Sequence, residues 1–75
     1  MDPYELVRGM VVDTGDLFED GPTAVFIRFE YESHVPNGEM RREHFRFLLT
    51  ASARVVTLSP DEIRKHVELI PKKLL

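Results

Sequence analysis

The residues with chemical potential are few. Asp13-Thr14-Gly15 sets a carboxylate at the head of a glycine turn, directly after Val11 and Val12. An aspartate placed this way hydrolyses amides only as half of a pair: two carboxylates about 3 Å apart share one proton, one serving as acid and the other as base. His34, His44 and His66 are the candidate metal ligands, yet neither C-x-x-C nor H-E-x-x-H spacing occurs. Glu43 and His44 are neighbours in a strand-like segment and so point to opposite faces. There is no cysteine to act as nucleophile, no G-x-S-x-G elbow and no glycine-rich phosphate loop. The chain is therefore expected to be no enzyme, with no metal and no cofactor.

The remaining chemistry is recognition. Residues 41–47, Arg-Arg-Glu-His-Phe-Arg-Phe, interleave bases with aromatics, as single-strand binders do to hold phosphates and stack bases. Alternation assigns Phe45 and Phe47 to the inward set, so they are expected to pack rather than stack. Outside this leaves Arg28 facing Arg46, flanked by Phe26, Leu48, His44 and Arg42. Two guanidinium groups facing each other with no carboxylate between them are mildly unfavourable and suit an anionic partner. An apolar surface with arginines also has the composition of a protein-interface hot spot. The plain alternative is a solvated strand face partly covered by the C-terminal segment. Over residues 13–20, Asp13, Asp16, Glu19 and Asp20 carry no base among them and surround Leu17 and Phe18. That pair either folds back to cap the core or meets a basic, apolar partner. The candidate partner-binding residues are thus Leu17, Phe18, Asp16 and Glu19 in the loop, and Phe26, Arg28, Arg42, Arg46 and Leu48 on the strands.

Composition limits what can position these groups. Seventy-five residues are expected to form a single domain, 1–75, with one modest core. A content of 43% hydrophobic and 31% charged residues describes a globular chain rather than a disordered one. No apolar run approaches the roughly 18 residues needed to cross a bilayer, so no membrane contact is expected. With no leader-like N-terminus and no cysteine, the expected compartment is cytoplasmic. A formal charge of −3 argues against generic coating of DNA, which needs many phosphate contacts.

Period-two patterning supplies the elements. Val25, Ile27, Phe29 and Tyr31 share one face of a strand, with Phe26, Arg28, Glu30 and Glu32 on the other. Phe45, Phe47 and Leu49 alternate with His44, Arg46 and Leu48 in the next strand. Pro36, Asn37 and Gly38 suit a three-residue loop with a bulge, so that Val35 faces Glu39. Counting outward pairs Phe29 with Phe45, Ile27 with Phe47 and Val25 with Leu49, and sets Glu30 against His44, Glu32 against Arg42 and Arg28 against Arg46. Leu6 to Asp13 reads as a first strand with a bulge or close backbone approach at Gly9. Residues 14–22 read as a loop and Ala53 to Leu58 as a short strand. From Ser59 two readings stay open. A capping box of Ser59 and Glu62 with Pro60 at the first helical position, and Ile63, Val67 and Ile70 on one stripe, favour a helix to about Ile70. One helical turn at 60–66 followed by a strand at 67–70 fits as well.

Two resemblances follow from these residues. Val11-Val12-Asp13-Thr14-Gly15 resembles the active-site loop of retroviral-type aspartic proteases, which implies an Asp13 pair formed by two chains. Those enzymes also carry a flap and a second apolar glycine motif near the C-terminus, and neither follows here, so a strand-ending turn is the preferred reading. The element order resembles the Src-homology-3-like small β-barrel over nearly the whole chain. The signalling family of that fold binds polyproline through an A-L-Y-D-Y-type motif and a tryptophan pair; this chain has neither, so that activity is not carried over. The expected fold is mainly β: a small antiparallel barrel of about five strands with a helical turn near 60–66, or alternatively an α+β fold, a four-stranded curled antiparallel sheet with a C-terminal helix 60–70. The expected function is a non-catalytic interaction module, regulatory or accessory, that binds a protein partner. The alternatives are a nucleic-acid-binding accessory module using Arg28, Arg42 and Arg46, and a small inhibitor from a mobile element.

Overall fold

The computed structural model describes residues 1–32 and 42–70. The turn expected at Pro36-Asn37-Gly38, and Pro71 as a stop, lie outside them. The elements are a 3-10 turn Pro3–Glu5, β1 Val11–Asp13, β2 Thr23–Glu32, β3 Arg42–Leu49, β4 Val55–Leu58, α1 Pro60–His66 and β5 Glu68–Leu69. All five strands form one antiparallel sheet in the order β4-β3-β2-β1-β5. The chain is mainly β, in the expected element order with the helical turn at 60–66. The sheet is not closed into a barrel: β4 and β5 are its edges, and no ladder joins them among the described residues. The curled-sheet alternative fits the open sheet and packed helix equally well, although the helix stops before Ile70.

Local chemistry starts the helix, and pairing with β1 stops it. The Ser59 hydroxyl accepts from Glu62 N–H at 3.2 Å while the Glu62 carboxylate accepts from Ser59 N–H at 2.9 Å, and Pro60 fills the first turn. The next residues, Val67 to Ile70, are strand formers, and β1 offers them a ladder: Val12 pairs with Leu69, Asp13 with Glu68, and Ile70 N–H donates to Val11 O at 3.2 Å. Tertiary pairing wins over a helical stripe that buries only Ile63 and Val67, while Ile70 stays 38% exposed. The N-terminal ammonium also donates to Val67 O at 3.0 Å, tying the start of the chain to the turn into β5.

The inner face of the sheet holds the core: Val12, Ala24, Phe26, Phe45, Phe47, Leu49, Val56 and Leu58, closed by Ile63 and Val67. The β2–β3 register departs from the expected one over its first part. From Arg28 to Glu32 the β2–β3 register is the expected one, with Phe29 opposite Phe45 and Glu30 opposite His44. Between Phe26 and Arg28 the register shifts, so that Phe26 meets Phe47, Val25 meets Leu48 and Ala24 meets Leu49. The bulge falls at Ile27 and exchanges the faces of everything before it. Phe26, not Val25 or Ile27, points inward, where its ring meets Phe47 at 5.3 Å and 62°. A phenylalanine buries more apolar area than a valine, and the bulge delivers it to the core. Across β1, Phe26 accepts from Gly9 N–H at 2.8 Å and donates to Met10 O at 2.9 Å. Gly9 sits at φ +93° with open space where a Cβ would be, so its backbone conformation rather than a close approach calls for glycine. The first strand is shorter than expected because this turn precedes it.

Candidate functional site

The Asp-Thr-Gly segment builds a turn. The Asp13 carboxylate accepts from Gly15 N–H at 2.7 Å, and Gly15 takes φ +63°. Thr14 is fully buried, and both its N–H and its hydroxyl donate to Pro22 O, at 2.7 and 3.0 Å. These bonds draw the two ends of the 14–22 loop together. Leu17 and Phe18 then fold back as partly buried side chains packed on the core, while Asp16 and Glu19 stay exposed. Arg54 pins the loop from the far side: it binds both Asp20 carboxylate oxygens, at 2.8 and 2.9 Å, and lies 5.6 Å over the Phe18 ring. Arg54, and then Ser52, hold the Asp20 carboxyl well below its ordinary range. The loop is a cap on the core.

The outer face of the sheet gathers the strand candidates differently from expectation. Phe26 is only 5% exposed and belongs to the core, so it is no surface contact. The bulge that buries it turns Val25 outward. Val25 is the cross-strand partner of both Val11 and Leu48, and Leu48 is the partner of Val55. Directly opposed residues share a face, so Val11, Val25, Leu48 and Val55 form one aliphatic row across four strands. Its ends are open, Val11 at 40% and Val55 at 51% exposure. At the β1 end the row runs into a groove of about 500 Å³ lined by Val7, Met10, Leu69 and Ile70 as well as Val11.

The next row carries the charge. Arg28 and Arg46 face each other as expected, but a carboxylate does lie between them: Glu30 accepts from Arg28 Nε at 2.6 Å and from Arg46 Nη2 at 2.9 Å. Arg28, then Arg46, push the Glu30 carboxyl below its ordinary value. The like-charge strain that suggested an anionic ligand is thus relieved within the sheet. Arg46 Nε is left buried with no hydrogen-bond partner among the described residues. Arg42 is exposed further out on β3, beside His44 and the end of β4.

A second surface went unrecognised in the sequence. Beyond the bulge the inner face of β2 and β3 outruns its cover, leaving Phe29 42%, Tyr31 46% and Tyr4 58% exposed. Phe45 links them, its ring 4.9 Å from Phe29 and 6.0 Å from Tyr4, over a hollow of about 200 Å³. The Glu43 carboxylate at the Tyr4 hydroxyl raises that phenol's pKa, and Arg64, 5.9 Å from the ring, partly opposes it. Period two assigned Phe29 and Tyr31 correctly to the inner face. The missing signal was length: the ten residues of β2 extend past the three of β1.

No group of three or more His, Asp or Glu side chains among the described residues is placed to hold a metal ion. No helix among them is long and apolar enough to cross a membrane. No family model, curated protein or solved structure matches the chain.

Proposed function

We propose that the chain is a non-catalytic interaction module that binds a protein partner through the outer face of its sheet. The observation that carries this reading is the aliphatic row Val11-Val25-Leu48-Val55, open at both ends and running at the β1 end into the groove at Ile70. A soluble monomer seldom keeps a continuous apolar patch, and such a patch with arginines on its rim has the make-up of an interface centre. Arg28 and Arg46 sit one row away, positioned by Glu30, and supply that rim. The loop residues Leu17 and Phe18 act in this reading as core cap rather than contact. The element order resembles that of the Src-homology-3-like barrels, and in this reading the open five-stranded sheet presents its outer face as such a module does.

The nucleic-acid reading through Arg28, Arg42 and Arg46 is the weaker one, because one carboxylate already serves two of the three guanidinium groups. The two readings separate in one experiment. Capture from a host extract is compared for the native chain, Val11→Lys/Ile70→Lys and Arg28→Glu/Arg46→Glu, each shown to be folded by circular dichroism. A protein partner lost with the first variant supports docking on the row. Retention of RNA or DNA that falls steeply with salt and disappears with the second variant would replace that reading by nucleic-acid binding.

A further inference from the structure

The edges of the sheet differ in how they are protected. β5 is two residues long and presents almost no template. β4, Val55-Val56-Thr57-Leu58, has no charge, no proline and no bulge, and it pairs with β3 on one side only. Its open side follows from parity. Leu49 N–H donates to Arg54 O at 2.8 Å, so in this register Val56 and Leu58 direct their main-chain groups toward β3. Val55 and Thr57 then direct theirs away from the sheet, and these groups have no partner among the described residues. Both side chains are exposed. Arg54, the charge that precedes the strand, is neutralised and drawn toward the loop by Asp20.

We infer that β4 pairs with β4 of a second copy, antiparallel about a two-fold axis. An uncharged, mainly apolar strand is complementary to itself in that arrangement, and an isologous contact closes after two copies instead of growing into a fibre. The register that uses every outward group sets Val55 against Thr57 of the second copy, Thr57 against its Val55, and the two Val56 residues against each other. Four main-chain hydrogen bonds form, and the five-stranded sheet becomes a ten-stranded one. The two outer faces then lie side by side, so a dimer presents the proposed docking surface twice and gains by bivalency where a partner is repeated. The pairing does not depend on that docking reading.

The test is the mass in solution of the full chain over roughly 10 µM to 1 mM, the range in which a small interface declares itself. The native chain is expected to move from its 8.7 kDa toward twice that value as concentration rises. Thr57→Pro removes an outward N–H that the β3–β4 ladder does not use, so it is expected to stay at the mass of one chain throughout with an unchanged circular dichroism spectrum. Val55→Lys, which charges the edge without touching the backbone, is expected to do the same and serves if the proline variant unfolds. A native chain that stays at the mass of one chain at every concentration overturns the inference. So does dimerisation of the folded variants at native strength.

Discussion

Thr14 and Asp13 show how one tripeptide can suggest catalysis and deliver architecture. The aspartate supplies a side-chain acceptor for Gly15 N–H, and the threonine is buried with two donors on one carbonyl. Asp13 and Gly15 suit the turn geometry, and the apolar valines before them are strand residues. That role was legible in the residue types; the burial of Thr14 was not, because nothing local announces that Pro22 returns to it. Asp20 carries the clearest prediction at this scale. Its folded carboxyl lies below the ordinary 3.8, so the ion pair with Arg54 contributes stability in full above that value and loses it as the pH falls through the gap. Urea unfolding should therefore show native chain and Asp20→Asn well separated at neutral pH, with the separation narrowing as the pH drops below about 4. A separation that stays constant to low pH would remove the ion pair from the account.

At the scale of elements, the β2–β3 pairing from Arg28 outward and the capped turn were readable, and the bulge was not. From Arg28 outward, alternating charges and aromatics admit one register. Ala24-Val25-Phe26-Ile27 is apolar throughout, so period two is silent over the four residues where the face changes. Only the competition for the core, settled by the size of Phe26, decides it. The β3–β4 turn holds a cost the sequence also hid: Ala53 sits at φ 60°, a conformation that L-residues other than Gly and Asn seldom take. Ala53→Gly should gain about 0.5 kcal/mol after the added freedom of the unfolded chain is subtracted, raising Tm by roughly 2–4 °C in a domain this small. At the next junction, Ser59→Ala removes the hydroxyl that accepts from Glu62 N–H and should cost about 1 kcal/mol, lowering Tm by roughly 4–8 °C. Both shifts are read in a thermal scan followed by far-ultraviolet circular dichroism.

For the whole molecule, among the described residues the inner face of the sheet is spent on the core closed by Ile63 and Val67, and the outer face carries an aliphatic row that none of the described elements covers. The sequence pointed to an apolar face with arginines, and Arg28, Arg46 and Leu48 are there. It named Phe26 where the bulge places Val25, and it missed Val11, Val55 and Ile70 because the sheet order that aligns them is not written in any one segment. The direct test of docking on this row is a calorimetric titration of the captured partner against the native chain and Val11→Lys/Ile70→Lys at several temperatures. The expected result is a negative heat-capacity change for the native chain, the mark of apolar burial, and a Kd weakened about 30-fold or more in the variant, corresponding to about 2 kcal/mol. An unchanged Kd in a folded variant would contradict the account.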